Sequence, residues 1–221
     1  MKKIFLFAIL LVCLTASAQE PEEKLVIEKG TWNIRGNASI RFSNNDNRLN
    51  LQDFVSENSL NSFTIAPAFG YSLKNNLVVG VGLQYLNQKT EGSTTSLNNN
   101  DNFKSTNNSI GLVPYIRGYK GLGKQLALYL QGEAGYNRIW GKSEQNGQSE
   151  NNDSTGNNLF IGIRPGITYF LGKKLAMEAN YGALGYSFNE TKYEDGRSTK
   201  SDSFNLNLDA SNIFFGLAYY F

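Results

Sequence analysis

The chain has no histidine and only one cysteine among its 221 residues. Serine and cysteine nucleophiles are usually activated by a histidine base, and structural zinc is usually held by histidine and cysteine, so both kinds of chemistry lack their residues. The single cysteine, Cys13, lies in an N-terminal apolar run that we expect to be removed, which excludes disulfides from the mature protein. We therefore predict no catalytic residue, no cofactor and no metal site.

Long apolar runs are also scarce, and the most prominent one is short. It covers residues 4–14, follows Lys2 and Lys3, and precedes the small residues Ala-Ser-Ala at 16–18. A charged start, a short apolar stretch and small residues at the cleavage site are typical of a secretory signal peptide, whereas a helix of this length is too short to span a bilayer. We expect residues 1–18 to be cleaved.

An excess of charge of either sign is missing once the signal is removed. The whole chain has 21 basic and 19 acidic residues, and the loss of its two N-terminal lysines leaves 19 of each. A neutral chain has no net attraction for phosphate backbones, so we predict no nucleic-acid partner. The mature length suits one domain, which we place at 30–221 after a short periplasmic segment at 19–29.

Alternation is the main pattern that is present. Eight segments place large apolar residues on one row and small, polar or charged residues on the other, the first over residues 30–42 and the last over 213–221. Alternate side chains of a β-strand point to opposite faces, so each segment is predicted to be a strand with one apolar face. A soluble, lipocalin-like barrel would turn that face inward, and a membrane barrel would turn it towards lipid.

The aromatic residues favour the membrane alternative. On the apolar rows they cluster at the two strand ends and leave an aliphatic band between them, as amphipathic rings do at the two interfaces of a bilayer. The lower set is Trp32, Tyr71, Tyr119, Tyr169, Tyr219 and Phe221, and the upper set is Phe42, Phe63, Tyr85, Tyr136 and Tyr181.

The connections between the segments alternate in length. Three are short turns, at 72–76, 120–125 and 171–174, and four are long and rich in Asn, Ser, Asp and Gly, at 43–61, 87–108, 138–158 and 189–211. Repeated long loops are unusual in a compact soluble domain but common on the outer side of membrane barrels. We predict irregular extracellular loops in these four ranges, where an extracellular ligand could bind.

With these features the mature chain resembles the small eight-stranded outer-membrane barrels related to outer-membrane protein A and outer-membrane protein X, and in particular the broad, porin-like group with an outer membrane protein beta-barrel domain. The resemblance implies an all-β, eight-stranded, antiparallel, up-and-down transmembrane barrel with three short periplasmic turns and four long extracellular loops. It implies the outer membrane of a Gram-negative-type envelope, with outer-membrane lipid and lipopolysaccharide as neighbours.

The resemblance also implies a role for the C-terminal strand. The chain ends on an alternating apolar row with a terminal aromatic residue. In this family such a strand resembles the signal that the barrel-assembly machinery reads. The predicted assembly signal consists of Phe215, Leu217, Tyr219 and Phe221.

Among the charged residues on the rows opposite the apolar ones, five are predicted to form a cluster in the interior: Arg35, Arg117, Glu133, Arg164 and Glu178. Side chains just fill an eight-stranded interior, and buried Glu beside Arg is expected to form a salt-bridge network that plugs the lumen. A non-enzymatic barrel with a structural or surface-interaction role is the leading prediction. A narrow pore for ions or very small solutes is the alternative, and a histidine-free barrel enzyme is a distant one.

Overall fold

The computed structural model describes residues 23–49, 54–96, 99–149, 153–207 and 213–221. The predicted signal peptide at 1–18 lies outside these ranges. Within them the chain is all-β, and no helix is long and apolar enough to cross a membrane.

Eleven strands occur in the described part of the chain. They are β1 (Trp32–Leu49), β2 (Phe54–Lys74), β3 (Leu77–Ser96), β4 (Asn99–Gly121), β5 (Leu126–Gln145), β6 (Gln148–Ser149), β7 (Ser154–Phe170), β8 (Leu175–Tyr181), β9 (Ala183–Tyr193), β10 (Ser198–Asn207) and β11 (Ile213–Tyr220). Strands β2 to β4 reach 20 residues or more, because their apolar lower parts continue without a break into upper parts rich in Asn, Ser and Thr.

The strand pairings are antiparallel and form a closed ring. Strands β1 to β5 pair in chain order, β5 pairs with β7, β7 with β8, and β8 with β11. β11 returns to β1 through the pairs from Asn33↔Tyr220 to Asn37↔Gly216. The ring therefore contains eight strands, while β9 and β10 form a hairpin that extends it upward beside β7.

One irregularity separates β8 from β9. Ile163 of β7 lies opposite Leu184. Gly166, three residues further along β7, lies opposite Asn180, which is four residues before Leu184. The extra residue is a β-bulge around Gly182, whose φ of 67° suits a residue without Cβ. The upper hairpin is therefore shifted by one residue relative to the ring below it.

The ring is apolar outside and polar inside. On the outer face, Val81 and Leu128 are each 41% exposed in the middle of their strands. On the inner face, Asn33, Arg117 and Glu178 are only 1–2% exposed. Soluble proteins bury aliphatic side chains and expose charged ones, so this distribution is inverted. It is the distribution that the sequence predicted for strands facing lipid.

The edge of the ring with short connections, which we name the lower edge, agrees with the predicted turns. Residues 75–76 join β2 to β3, residues 122–125 join β4 to β5, and residues 171–174 join β7 to β8. Asn76 takes a positive φ of 64°, which asparagine tolerates better than most residues.

At the upper edge, the prediction of long irregular loops is wrong over the described residues. The first two upper hairpins pair without a break up to Leu49↔Phe54 and Ser96↔Asn99. Their polar composition suggested loops, but main-chain pairing across a hairpin does not require apolar side chains, and the strands below set its register. The four predicted loop ranges, 43–61, 87–108, 138–158 and 189–211, are thus mainly strand. Their segments 50–53, 97–98, 150–152 and 208–212 lie outside the described residues.

Candidate functional site in the ring interior

A buried ion pair lies in the lower interior. Nη1 of Arg117 on β4 is 2.8 Å from Oε1 of Glu178 on β8, and the two side chains are 3% and 1% exposed. Strand alternation turns both residues inward, where the sequence placed them. Each charge depends on the other, because an unpaired buried charge costs on the order of several kcal/mol.

Gln131 connects this ion pair to the other charged residues. Its Oε1 accepts hydrogen bonds from Nε of Arg117 at 2.9 Å and from Nη2 of Arg35 at 3.1 Å. Its Nε2 donates to Oε2 of Glu133 at 2.6 Å. A neutral amide can join cations to an anion because it both accepts and donates. Gln131 was not among the predicted site residues, although its place on the inward row of β5 was a signal for it.

Glu133 forms a second ion pair with Arg164 of β7. Nη2 of Arg164 donates to Oε1 of Glu133 at 2.6 Å, and the side chains of Arg164 and Glu133 are 29% and 8% exposed, respectively. The structure therefore brings the five predicted charged residues together as two ion pairs that Gln131 links, with Arg35 attached to the same amide.

Tyrosine side chains fill the interior below the ion pairs. Tyr119, Tyr129 and Tyr220 are 4–8% exposed. The hydroxyls of Tyr119 and Tyr220 are 3.1 Å apart, and Cζ of Arg117 lies 3.7 Å from the ring centre of Tyr129, a cation–π contact. The predicted outer position of Tyr119 is wrong, because this residue shares the inward face of β4 with Arg117.

The N-terminal segment crosses the lower edge as a strap, which we define as residues 24–29. The N–H of Leu25 donates to the carbonyl of Gly123 at 2.8 Å. Asn76 holds Ile27 on both sides, since its N–H donates to the Ile27 carbonyl and its Oδ1 accepts from the Ile27 N–H, each at 2.8 Å. These hydrogen bonds to two turns of the lower edge keep the strap against the ring.

Ile27 is the buried residue of this strap. It is 4% exposed and belongs to the same buried cluster as Phe170 and Tyr220. Gly121 permits the close approach, because a Cβ there would collide with the backbone of Leu25. The sequence predicted only a short periplasmic segment here, since three consecutive apolar residues, 25–27, show no alternation that would indicate which of them is buried.

A cavity of about 110 Å³ lies beside the ion pairs. Its walls include Arg35, Asn37, Glu133, Phe160 and Arg164. Most of these groups are polar, so the cavity suits water or a small polar ligand.

Both interior carboxylates are held by neighbouring side chains. Glu178 accepts hydrogen bonds from Arg117 and Tyr220, and Glu133 accepts one from Arg164. Among the described residues, no three His, Cys, Asp or Glu side chains stand together as metal ligands would.

The predicted assembly signal forms the outer row of β11. Phe215, Leu217, Tyr219 and Phe221 are 46–63% exposed on that row. Two main-chain hydrogen bonds, of 2.8 and 2.9 Å, tie Phe221 to Trp32 at the start of β1. The C-terminal residue therefore meets the first strand where the ring closes.

The upper strand extensions present a polar surface where the extracellular ligand was predicted. Lys104 pairs with Glu144 at 3.3 Å across β4 and β5. A concavity of about 610 Å³ lies among these extensions, with Asp46, Glu57 and Phe103 in its walls. Any ligand there would meet paired hairpins with fixed spacing.

Comparisons with known proteins give one family and several similar solved structures. A family model described as "Outer membrane protein beta-barrel domain" matches residues 5–221. Among solved structures, a major outer membrane protein from Thermus thermophilus is similar, with 11% identity, a TM-score of 0.48, and coverage of 88% of this chain and 100% of that one. OprG from Pseudomonas aeruginosa has 13% identity, a TM-score of 0.39 and coverages of 88% and 97%. Neisserial surface protein A has 14% identity, a TM-score of 0.36 and coverages of 90% and 100%. Comparison with curated proteins gives no match.

Proposed function

Because the chain belongs to the outer membrane protein beta-barrel domain family, we propose that it is an eight-stranded transmembrane barrel of the outer membrane, exported by its signal peptide, with a structural or surface-interaction role and no enzymatic activity. The dimensions of the ring support a spanning position. Ten residues separate Tyr169 from Leu159 on the outer face of β7, and at about 3.3 Å per residue and a tilt of about 40° they cover about 25 Å, the height of the apolar band in such barrels.

The observation that carries the non-conducting, structural role is the filled lower interior. Three layers lie on top of one another there: the ion pairs around Gln131, the tyrosines, and the strap with Ile27. An ion would have to separate the 2.8 Å contact of Arg117 and Glu178 and then displace the strap. Both steps break buried contacts, which is costly for charged groups.

The apolar outer face, the polar upper extensions and the last strand of the barrel each suit a different partner. Its outer aliphatic band suits lipid chains, and the polar extensions above it would stand among lipopolysaccharide head groups and in the external medium, where an extracellular ligand would bind. The outer row of β11 suits recognition by the barrel-assembly machinery, because an unpaired closing strand can add to another strand before it reaches β1. Nucleic acid is not an expected partner.

Planar-bilayer recording tests the closed interior. The wild-type protein is expected to show no steady channels. Removal of residues 19–29 should still give little conductance, because the ion pairs and tyrosines remain in place. Steady wild-type channels that disappear when Arg117 or Glu178 is replaced by a larger neutral side chain would refute the closed barrel and establish a pore.

The strap can be tested separately with a matched pair of glycines. A methyl group at position 121 would collide with the backbone of Leu25, whereas at position 123 it would meet nothing within 4 Å. Gly121→Ala should therefore release the strap and make residues 24–29 sensitive to limited proteolysis from the periplasmic side, while Gly123→Ala should not. Equal protection in both variants would show that the strap does not depend on this contact.

A narrow pore is the second candidate, and one observation favours it. Both amide atoms of Asn33, Oγ1 of Thr168 and Oε2 of Glu178 are buried and have no hydrogen-bond partner among the described residues. Buried polar groups are normally satisfied by protein or by ordered water, so water molecules are expected between them. A pore would use such a chain of water, and the recordings described above distinguish it from isolated sites.

A further inference from the structure

Charge is divided unevenly between the two edges of the ring. The three lower turns with their adjoining strand ends, at 72–76, 120–125 and 171–174, contain five lysines and no acidic residue. The four ranges predicted as upper loops contain 8 basic and 13 acidic residues, a net charge of 8 − 13 = −5. Residues 23–29 add two lysines and two glutamates to the lower edge, so its excess stays at +5. We name the five residues of the turns the lower lysines: Lys74, Lys120, Lys124, Lys173 and Lys174.

Four of the lower lysines have no acidic partner within the described part of the chain. They are exposed, and the ion pairs of the described residues involve none of Lys74, Lys120, Lys173 and Lys174. On the upper extensions, by contrast, three lysines pair with glutamates of the same surface. The positive charge of the lower edge therefore remains available to an anion outside the chain.

The lower turns also share a sequence pattern. Each has two leucines separated by three residues that include a lysine, at 73–77, 122–126 and 171–175. In the second and third turns the N–H of the first leucine donates to the carbonyl of the second at 2.8 Å, so Lys124 and Lys173 take the same position. The first leucine of each turn is exposed: Leu73 by 44%, Leu122 by 49% and Leu171 by 51%. Lysine beside exposed leucine suits the boundary between hydrocarbon and head groups, because the apolar parts stay in hydrocarbon while the ammonium reaches the phosphates.

The depth of the turns matches the depth of lipid phosphates. Tyr169, which belongs to the lower aromatic set, is 45% exposed on the outer face of β7, and Leu171 follows two residues later. At about 3.3 Å per residue and a tilt of about 40°, two residues cover about 5 Å along the barrel axis. The head-group layer on each side of a bilayer is about 5–8 Å thick, because the bilayer measures about 40–45 Å and its hydrocarbon core about 30 Å. In the membrane position proposed above, the lower lysines therefore lie in the head-group layer of the periplasmic leaflet.

Charge, leucines and depth together identify the class of ligand. We propose that the lower lysines bind the phosphates of anionic phospholipids, such as phosphatidylglycerol, in the periplasmic leaflet, with the exposed leucines of the same turns against the lipid chains. A soluble anionic polymer would engage the lysines but leave the leucines in water, so lipid matches both features of the turns. This inference rests on the membrane location proposed above.

Trp32 lies where it can report on lipid at the lower edge. It is 41% exposed, and its ring centre lies 4.5 Å from that of Tyr71, three residues before Lys74. On its other side is β11, where the N–H of Tyr220 donates to the carbonyl of Lys174. Trp32 is therefore flanked by two of the lower turns.

Quenching of Trp32 by brominated lipid tests the proposal. The protein with Trp140→Phe, which has no other tryptophan, is reconstituted in phosphatidylcholine vesicles that contain brominated phosphatidylglycerol or brominated phosphatidylcholine. Both leaflets have the same composition, so the orientation of the protein does not affect the result. The relative association constant is expected to favour phosphatidylglycerol about fivefold, about 1 kcal/mol, the attraction of roughly one lysine for an anionic surface. It should fall towards one in about 0.5 M sodium chloride, since salt screens exposed charges.

Two variants with the same change in charge compare the two edges. Replacing all five lower lysines by glutamine should abolish the preference for phosphatidylglycerol, and Lys74→Gln with Lys174→Gln alone should at least halve it. The matched control removes five lysines from the upper extensions and should preserve the preference: Lys89→Gln, Lys104→Gln, Lys142→Gln, Lys192→Gln and Lys200→Gln. A heat-modifiable shift in gel mobility shows for each variant whether the barrel has folded.

A relative association constant near one in the wild type, or an equal loss in the lower and upper five-lysine variants, would overturn the proposal. Lysine-dependent sedimentation with purified peptidoglycan, in a folded protein without a lipid preference, would also overturn it, because the partner would then be a polymer. A protein that does not insert into vesicles would instead refute the membrane barrel itself.

Discussion

Replacing Glu178 by Gln isolates the buried ion pair at the centre of the interior. The change preserves the size of the side chain and one acceptor oxygen but leaves Arg117 charged at 3% exposure. Removing one partner of a buried pair typically costs about 3–5 kcal/mol. Arg117 keeps its bond to Gln131 and its contact with Tyr129, so we expect the lower end of that range, about 3 kcal/mol in the free energy of unfolding.

A matched variant tests whether the burial of the ion pair determines how much stability is lost when one partner is removed. Glu133→Gln removes the same charge from the second ion pair, but Arg164 is 29% exposed there and can be hydrated. We expect a loss of about 1 kcal/mol, closer to that of surface pairs. Replacing both partners of the buried pair, with Arg117→Met and Glu178→Leu together, should restore most of the stability that Glu178→Gln loses, because no unpaired charge is left.

Urea unfolding in neutral detergent or lipid vesicles measures these differences through tryptophan fluorescence. Trp32 lies at the lower edge of β1 and Trp140 in the upper part of β5, so the two report on opposite ends of the barrel. The reasoning fails if Glu178→Gln is no less stable than Glu133→Gln. It also fails if the double replacement is as unstable as the sum of its two single changes, since the charges would then not be coupled.

Three further predictions address the outer face, the assembly signal and an upper turn. Val81→Arg or Leu128→Arg should each cost about 2–4 kcal/mol in lipid, because nothing at mid-band hydrates the charge, and unchanged urea midpoints for both would argue against lipid contact. Deletion of Phe221 should reduce insertion in cells, measured by outer-membrane fractionation, while the variant still refolds in detergent; normal surface levels would exclude an assembly signal. The backbone N–H of Arg197 holds the pKa of Asp195 below its usual range, so the turn is stabilised above the unfolded-state pKa and loses that stability as the pH falls through the folded-state value. The protection of the amides at 194–197, taken relative to their intrinsic exchange rates at each pH, should therefore fall on acidification in the wild type but not in Asp195→Asn.

Strand alternation is the part of the fold that could be read directly from the sequence. The two-residue period assigns Arg117 and Glu178 to the inward rows without knowledge of any neighbour, because successive side chains of a strand take opposite faces. The same rule assigns Phe215 to the outer row. Alternation also assigns Tyr119 to the inward row of β4, and its outer position was predicted wrongly from the aromatic pattern of the lower edge.

Composition misled the prediction of the upper strands. Asn-, Ser- and Thr-rich stretches have low intrinsic preference for strands, and they were predicted to be loops on that basis. In the structure the pairs run on to Ser96↔Asn99, because a hairpin that has already paired below adds each further pair without a new cost of closing the ring. The length of these strands above the membrane therefore depends on continued hairpin pairing and not on the intrinsic strand preference of their residues.

The sequence by itself determined the classes of residue that line each face, the absence of histidine chemistry and the three short turns, since all of these depend on local spacing and residue type. Only the tertiary structure decided which inward residues touch. Gln131 links Arg35 to Arg117, Ile27 is buried at the lower end, and the pairs from Asn33↔Tyr220 to Asn37↔Gly216 join β1 to β11. Each of these depends on ring closure and register between segments far apart in the chain, which bring together side chains that no local period relates.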